Sequence, residues 1–349
     1  MADDRACTVN FGIVGTGSYL PAETVPNEPV ARRAGVTGEW IERKTGIRSR
    51  RYAAADEATS DLAVHAARRA LRSAGLTADQ VGLIVVATST PDHPQPATAC
   101  LVQARLGARH AVAFDINSVC SGFVFALVTA ARLLSGRDTY GIVIGADIYS
   151  RIVDPTDRRT AVLFGDGAGA VVLGPVGPGQ GLLGAELASH GDRHELILVE
   201  AGGSRVPASE KSLAEGQHAF RMQGRAVSEF VTAELPLVVR RLLTSHDVAA
   251  DGVDHFVPHQ ANGVLLNRLF PLLGLARARM HLTVAEHGNT SAASIPLALD
   301  HGNRTEAFHD GDLLLLAGFG GGMSIGTALV RWTPHGRGGN VSPNSASIP

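Results

Sequence analysis

The fold is decided by the stretch Asp115-Ile116-Asn117-Ser118-Val119-Cys120-Ser121-Gly122-Phe123, in which a strand pattern gives way to a helix pattern. Residues 111–116 form a short strand-like run, and from Ser121 onward apolar residues recur at helical spacing until Gly136. Cys120 therefore stands at the head of a helix, where unpaired N–H groups and the helix dipole favour a thiolate. We expect its pKa to lie below the roughly 8.5 of a free cysteine, as in a nucleophile. The alternative is a small buried core cysteine.

Composition excludes several classes of function. The 349 residues carry a formal net charge of −2, which gives no electrostatic reason for nucleic-acid or membrane binding. No run approaches the roughly 18 uninterrupted apolar residues of a membrane span. Three scattered cysteines form neither a disulfide framework nor a C-x-x-C metal pair, and the acidic start does not resemble a signal peptide. A cytoplasmic location, in which a thiol stays reduced, is therefore expected.

The second half of the chain repeats the first in weak form. Strand-like runs alternate with helix-like periods in both halves, which is typical of an α/β fold with strands buried on both faces. Because the order of elements is kept, the helix start at Cys120 corresponds to the helix start at Asn289. The corresponding strands are 82–88 and 253–259, 141–146 and 312–318, and 169–173 and 326–331.

Glycine- and proline-rich segments indicate the limits of these two lobes. The stretch 174–181 interrupts the strand pattern, so we expect one lobe over residues 1–180 and a second over 181–332. Residues 160–173 are expected to form a hairpin or paired strands around a glycine turn. Residues 333–349 turn to Gly, Pro, Ser and Asn, which predicts a disordered tail.

Three polar side chains stand where apolar strands end: Cys120 in the first lobe, and His259 and Asn289 in the second. A lone cysteine with His and Asn elsewhere in the chain is a candidate nucleophile set. The thiolate can attack an acyl thioester, His can exchange protons, and the Asn amide can donate to an enolate or oxyanion. Each residue also has a structural alternative, since His259 suits a satisfied core histidine and Asn289 suits a helix N-cap.

Two glycine-rich segments are candidate ligand sites. Phe319-Gly320-Gly321-Gly322 is either a tight turn or a source of exposed backbone N–H groups beside a reacting carbonyl. It lacks the G-x-G-x-x-G spacing of a dinucleotide site, and no Gly-Lys-Ser/Thr follows residues 165–169, so neither segment predicts a nucleotide.

At the level of whole motifs, the chain resembles the β-ketoacyl-acyl carrier protein synthase III group of the thiolase superfamily over about residues 8–332. The resemblance implies an α/β thiolase fold, in which two pseudo-equivalent βαβαβαββ lobes build a five-layered α-β-α-β-α architecture. It also implies a homodimer and a catalytic triad of Cys120, His259 and Asn289. The matching segments are Gly46-Ile47-Arg48, Asp115 to Phe123, Phe164 to Ala170, His259 to Asn262, His287 to Ser294 and Phe319 to Gly322.

The reaction that the resemblance implies is ping-pong. Cys120 takes an acyl group from a CoA or carrier-protein thioester, and a malonyl thioester then enters and loses CO2. His259 and Asn289 stabilise the resulting enolate, which attacks the acyl-Cys120 carbonyl. Backbone N–H groups of Cys120 and Gly321 hold the oxyanion of this step. No metal or other cofactor is implied, because the thioester itself stabilises the carbanion.

The resemblance also implies substrate-binding positions. Trp40 matches a residue that stacks on the adenine of CoA, Arg158 matches an adenine-side arginine, and Phe319 precedes the glycine turn. Lys44 stands where an arginine is expected, which keeps the charge but loses the planar face. Gln95 stands where an aromatic residue lines the acyl pocket across the dimer, so a larger or more polar pocket is expected.

The carrier-protein docking face departs from the family pattern. Glu229 stands where a lysine is usual, and Gly263-Val264 replace a Leu-Arg pair, although Arg225 and Arg268 lie nearby. A basic face attracts an acidic carrier protein, so these changes weaken that attraction.

These features predict an acyltransferase that condenses acyl-Cys120 with a malonyl thioester in a secondary-metabolite, polyketide-type pathway. The expected partners are acyl-CoA, a malonyl thioester and, as a further source of either group, an acyl carrier protein. Two alternatives stay open: transfer of the acyl group to an alcohol, amine or thiol without condensation, and a non-catalytic partner subunit. Retention of Asn289 favours condensation, since plain transfer needs no enolate stabiliser.

Overall fold

The apolar runs of the sequence form two five-stranded sheets within residues 10–333, the part of the chain that this computed structural model describes. The first sheet consists of β1 (Asn10–Tyr19), β4 (Val81–Ala87), β5 (Val112–Ile116), β6 (Tyr140–Asp147) and β7 (Gly167–Val176). The second sheet consists of β8 (Gly181–Ser189), β11 (His255–Pro258), β12 (Arg279–Met280), β13 (Leu313–Gly320) and β14 (Ser324–Arg331). Short strands pair outside these sheets as β2 (Glu23–Pro26) with β3 (Ser49–Tyr52) and β9 (Ile197–Leu198) with β10 (Arg221–Met222).

The two sheets have the same topology, which confirms the predicted repeat. The strand orders are β1-β7-β6-β4-β5 and β8-β14-β13-β11-β12. In both, the first two pairings are antiparallel and the last two are parallel. Strands β4, β6 and β7 therefore correspond to β11, β13 and β14, as the sequence pattern predicts. The crossing from one sheet to the other lies between β7 and β8.

Helices fill the space between and outside the sheets, since buried sheets need apolar cover on both faces. Helices α5 (Gly122–Leu134) and α10 (Ser294–Arg304) share one apolar core with both sheets and form the central layer. Helices α3 (Thr59–Ala74) and α4 (Thr98–Leu106) cover the outer face of the first sheet. Helices α7 (Gly224–Ser245) and α8 (Gly263–Leu269) cover the outer face of the second. The result is the five-layered α-β-α-β-α arrangement.

The remaining helices are short. None of the helices within residues 10–333 has the length and apolar character needed to cross a bilayer. The remaining short helices are α1 (Asn27–Ala34), α2 (Gly38–Thr45), α6 (Glu210–Ala214) and α9 (Val284–His287).

The predicted hairpin over residues 160–173 is wrong, because a strand begins only at Gly167. Thr160 starts a turn in which Leu163 N–H donates to the Thr160 carbonyl at 3.0 Å. Phe164 forms an isolated bridge with Asn289, so its backbone pairs with the second lobe and not with β7. Of the predicted tail, 334–349 lies outside the described residues, whereas Thr333 is buried and bonds to the Ile13 carbonyl at 3.3 Å.

Candidate active site

Two short 3-10 turns lead into the central helices, Val119–Ser121 before α5 and Ser291–Ala293 before α10. Val119 and Ser291 each begin a turn with a positive φ, 46° and 51° respectively. In each turn an asparagine two residues earlier accepts the N–H with its side-chain oxygen. The distance is 3.2 Å from Val119 to Asn117 and 2.9 Å from Ser291 to Asn289. The two turns therefore share one backbone design.

This shared design corrects the predicted match between the two helix starts. Because Val119 corresponds to Ser291, Cys120 corresponds to Ala292, and Asn289 corresponds to Asn117. The sequence pattern placed Cys120 opposite Asn289, three residues out of register.

Glycines in the two sheets bring the turns together. A Cβ added at Gly145 of β6 would lie 3.1 Å from Cα of Ala293, and one at Gly318 of β13 would lie 2.9 Å from Cα of Ser121. Each sheet thus receives the turn of the other lobe at a site that only glycine leaves open. The thiol-bearing turn and the Asn289 turn meet at this centre.

The Cys120 thiol is buried between the lobes. Its Sγ lies 3.5 Å from the Ser291 hydroxyl, and the backbone N–H of Cys120 is a second hydrogen-bond partner of the sulfur. The expectation of a lowered pKa is wrong for this state. Burial raises the pKa of Cys120 to about 12, because the thiolate would lose its water, and the negative charge of Asp147 adds to the effect. In this state Cys120 is therefore a thiol.

His259 follows β11 and is held as a neutral imidazole. The backbone N–H of His259 donates to the Ala317 carbonyl at 2.8 Å. On the ring, Nδ1 lies 2.7 Å from the Ser294 hydroxyl, and the Phe319 ring packs edge-on with the two centroids 5.2 Å apart. Burial lowers the pKa of His259 to about 3, and a hydrogen bond to the backbone of Ser291 acts in the opposite direction. A neutral ring can donate one hydrogen bond and accept another.

Asn289 is both a turn former and a free donor. Its backbone is fixed by the first lobe, since its N–H donates to the Leu163 carbonyl at 2.9 Å and its carbonyl accepts from Gly165 at 3.0 Å. Its side-chain oxygen accepts from the Ser291 N–H at 2.9 Å, two residues on, in an Asx-type turn. The expected N-cap role is wrong, because Thr290 is the N-cap of this 3-10 turn. Its Nδ2 group has no partner among residues 10–333, so it is available to a ligand.

The glycine turn lies beside the backbone N–H of Cys120. A Cβ at Gly320 would lie 3.0 Å from the Cys120 nitrogen and 2.7 Å from its Cβ. Among residues 10–333, the hydrogen bond found for the Cys120 backbone N–H is to the sulfur of the same residue. By strand register, Gly320 corresponds to Asp147, and the Oδ2 of Asp147 accepts from Ala292 N–H at 3.0 Å. The N–H at this point of the turn therefore donates to a carboxylate in the second lobe, where Ala292 stands. In the first lobe, where Cys120 stands, a glycine takes the place of that carboxylate residue. Gly321 follows in the turn between β13 and β14.

The sequence-predicted substrate residues lie farther out. Trp40 is half-buried on α2, and Lys44 is exposed near the end of α2, where its carbonyl accepts from Asn262 at 3.4 Å. That contact joins α2 to the loop after His259. Arg158 and Gln95 are exposed on loops, and Phe319 is buried beneath His259.

Three residues of the site were missed by sequence reasoning. Gln260 ties the end of β11 to the segment before α9, accepting from Thr283 at 2.8 Å and donating to the His281 carbonyl at 3.0 Å. Ser291 and Asp147 complete the polar surroundings of the thiol. Asp147 gave the same signal as the triad, a polar residue at the end of a buried strand. Within residues 10–333, no group of three or more His, Cys, Asp or Glu is arranged to hold a metal ion.

One groove beside α7 is lined by more acidic than basic side chains. A groove between α7 and the segment 192–196 is lined by four carboxylates and one arginine beside the apolar Phe230. Glu229 lies in this groove, so the charge change seen in the sequence is part of an acidic patch. The charged residues are Asp192, Arg193, Glu195, Glu229 and Glu234.

Two duplicated lobes with a buried thiol at their junction define a thiolase-fold condensing enzyme. Models of 3-oxoacyl-[acyl-carrier-protein] synthase III match residues 114–191 and, for its C-terminal part, residues 243–332. The chain is 45% identical over 329 residues to β-ketoacyl-[acyl-carrier-protein] synthase III of Paramagnetospirillum magneticum, covering 93% of this chain and 99% of the relative. The chain belongs to this synthase III family and is an acyltransferase-type condensing enzyme.

Two further relatives narrow the comparison. The chain is 54% identical over 326 residues to acetoacetyl CoA synthase NphT7 of Streptomyces sp. (strain CL190), covering 93% of this chain and 99% of the relative. Among solved structures, the priming β-ketosynthase of the R1128 polyketide pathway superposes with a TM-score of 0.87 at 31% identity, over 94% of this chain and 97% of that one. The synthase III of Pseudomonas aeruginosa PAO1 gives 0.83 at 39% identity, over 93% and 98%.

Proposed function

We propose that the protein loads an acyl group from a CoA thioester onto Cys120 and condenses it with a decarboxylating malonyl thioester in a secondary-metabolite pathway. The observation that carries the proposal is that all three predicted catalytic residues contact Ser291. The Ser291 hydroxyl lies 3.5 Å from Cys120 Sγ, and the Ser291 backbone N–H donates to the Asn289 side-chain oxygen at 2.9 Å. The backbone of Ser291 also forms a hydrogen bond with the His259 ring. The pathway assignment is supported by likeness to an acetoacetyl CoA synthase and a polyketide priming ketosynthase.

In the first half-reaction, Cys120 Sγ attacks the acyl carbonyl and the CoA thiolate leaves. The developing oxyanion is best stabilised by donors that are already in place, because such donors need no reorganisation during the reaction. The N–H of Cys120 and the N–H of Gly321 are the proposed donors. The choice of Cys120 N–H is supported by Ala292, whose N–H at the corresponding point of the second turn donates to a carboxylate oxygen at 3.0 Å.

In the second half-reaction, the malonyl thioester loses CO2 and its thioester oxygen becomes enolate-like. Neutral His259 and the Nδ2 group of Asn289 donate to that oxygen. The enolate carbon attacks the acyl-Cys120 carbonyl, and collapse of the adduct expels the Cys120 thiolate with the β-ketoacyl thioester as product. Retention of Asn289 supports condensation over plain acyl transfer.

The acidic groove supports CoA over a carrier protein as the carrier of the malonyl group. Like charges facing an acidic carrier protein cost association rate and affinity, whereas CoA is bound by individual side chains. Trp40 and Arg158 are proposed to hold the adenine, and Lys44 the phosphates. Arg158 is exposed and has no ion-pair partner among residues 10–333.

A homodimer is also proposed, because the edge of the first sheet is open. Strand β5 has one neighbour, β4, and its first residue, Val112, is 58% exposed. An apolar open edge favours pairing with another strand. Gln95 would then face the acyl pocket of the second subunit. Mass photometry of the intact chain tests this, and a monomer at micromolar concentration would contradict it.

The function is tested with a panel of acyl-CoA and acyl-carrier thioesters, each with and without malonyl-CoA or malonyl carrier protein. We expect an acyl adduct by intact mass that disappears in Cys120→Ala, and CO2 with a β-ketoacyl-CoA product only when malonyl-CoA is present. An adduct without CO2 release would favour the non-condensing alternative. No adduct with any thioester would exclude Cys120 as the acyl acceptor.

A further inference from the structure

A buried polar cluster lies directly behind the Cys120 thiol and has no role in the reaction outlined above. Asp147 is fully buried at its centre, and its Oδ1 accepts from the Ser89 N–H at 2.9 Å and from the Thr90 hydroxyl at 2.8 Å. The Thr88 hydroxyl and the Ser89 hydroxyl also donate to it. A carboxylate can only accept, so these groups fix the direction of every hydrogen bond that reaches it.

Ser291 connects this cluster to the thiol. Its oxygen lies 3.5 Å from Cys120 Sγ, and the N–H of the next residue, Ala292, donates to Asp147 Oδ2 at 3.0 Å. A hydrogen bond from the Ser291 side chain is also among the causes that act to lower the pKa of Asp147. Either atom of the Cys120–Ser291 contact can donate. When the Ser291 hydroxyl donates to the carboxylate, its oxygen is left to accept the S–H proton, and the chain of donors runs from Cys120 through Ser291 to Asp147. This is the direction in which the thiol must lose its proton.

We propose, on the basis of the function proposed above, that Ser291 and Asp147 form the proton path of Cys120. As Sγ bonds to the acyl carbon and the C–S bond to CoA breaks, the thiol proton moves to the Ser291 oxygen and the hydroxyl proton moves to Asp147. The CoA thiolate takes its proton from water. When condensation expels the Cys120 thiolate, the same path returns the stored proton, and the resting enzyme is restored.

Charge explains why this path suits the site. A thiolate beside an ionised Asp147 would place two negative charges at a buried site, whereas proton transfer moves one charge and creates none. Burial raises the pKa of the Asp147 carboxyl, which makes it a better acceptor, although its hydrogen bonds oppose the effect. His259 is the weaker acceptor, because burial lowers its pKa to about 3.

Other titratable groups do not interfere with a pH test. The groups facing Asp147 are Cys120 and Tyr149, and burial raises the pKa of the Tyr149 hydroxyl well above its usual value. His259 stays neutral above about pH 4. Between pH 6 and 9, a change in the loading rate therefore reports on the Cys120 and Asp147 pair.

The test separates acyl loading from decarboxylation. Ser291→Gly removes the hydroxyl, keeps the backbone contacts to His259 and Asn289, and suits the positive φ of 51°. Single-turnover loading from acetyl-CoA is followed by intact mass between pH 6 and 9. Preloaded enzyme is then mixed with malonyl-CoA and CO2 release is measured. Asp147→Asn is the second variant. Ser18→Ala is the matched control, since Ser18 is a buried serine that donates to the buried Asp300 at 2.5 Å.

We expect Ser291→Gly and Asp147→Asn to load at least 10-fold more slowly at pH 7, with the gap narrowing as pH rises because hydroxide takes the proton directly. Decarboxylation by preloaded Ser291→Gly should stay within about threefold of wild type, and Ser18→Ala should match wild type in both steps. Wild-type loading rates with an unchanged pH profile in the Ser291 variant, or equal losses in both steps, would overturn the proton path. Absence of any adduct on wild-type Cys120 would instead overturn the proposed function.

Discussion

The turn before α5 and the turn before α10 have one backbone and two chemistries. Both begin at a positive φ and use an asparagine oxygen to hold the first N–H. In the first turn the next residue is Cys120, and Gly320 lies beside its amide. In the second turn the next residue is Ala292, and Asp147 fills the amide. The backbone therefore presents the same amide twice. Asp147 accepts from it in the second turn, and in the first turn it is the proposed oxyanion donor.

Filling the Cys120 amide is expected to give the largest effect. Gly320→Asp makes the first turn resemble the second, and its carboxylate would compete with the oxyanion for Cys120 N–H. Loss of an oxyanion donor costs about 10²–10³ in rate, so loading should fall by at least that factor in a stopped-flow or mass assay. Gly320→Ala controls for the close approach to Cys120. If the aspartate variant loads no more slowly than the alanine variant, the amide is not the oxyanion donor.

Replacing the asparagine of each turn by aspartate is expected to give the second-largest difference in rate between the two turns. Asn289→Asp keeps the oxygen that holds Ser291 but loses the Nδ2 donor, so CO2 release should fall about 10²-fold while loading of Cys120 falls far less. Asn117→Asp makes the same change in the first turn and should leave both steps within about threefold of wild type. The two variants are compared by single-turnover CO2 release and intact mass. Equal losses in both would show that the amide acts through turn structure alone.

The pH dependence of decarboxylation is expected to give the smallest effect. An ordinary histidine would become protonated near pH 6.5, but burial lowers the pKa of His259 to about 3. Its neutral form therefore persists as pH falls from 7 to 5. CO2 release by preloaded enzyme should change less than twofold over that range. A fall with an apparent pKa near 6.5 would mean that His259 is solvated in the acyl-enzyme.

Patterns that extend over many residues could be predicted from the sequence. The strand correspondence was visible because a buried strand is an uninterrupted apolar run, and the comparison with known proteins confirmed the family. The hairpin over 160–173 was wrong, because nothing local shows that Phe164 pairs with Asn289 in the other lobe.

Properties set by the meeting of the lobes could not be predicted. The sequence around Cys120 shows only the backbone of its own helix start. The pKa of Cys120 is instead set by burial and by the charge of Asp147, which both raise it. The three-residue shift between the turns could not be seen in the sequence. Cys120 and Asn289 are both candidate catalytic residues at helix starts, so the pattern suggests aligning them with each other. Ser291 gave no signal by residue type, since the corresponding Val119 is apolar. Its importance comes from its place in the fold.

The exchange of turns between sheets also bears on how the chain can be divided. A cut in the loop between β7 and β8 yields two fragments, each with a complete sheet and half of the site. Neither fragment would hold Cys120, His259 and Asn289 together, because Cys120 lies before the cut and the other two lie after it. Asn289 would also lose its backbone bonds to Leu163 and Gly165 until the fragments associate. Acyl loading would then report directly on fragment association, so this loop is the natural place to build a split enzyme.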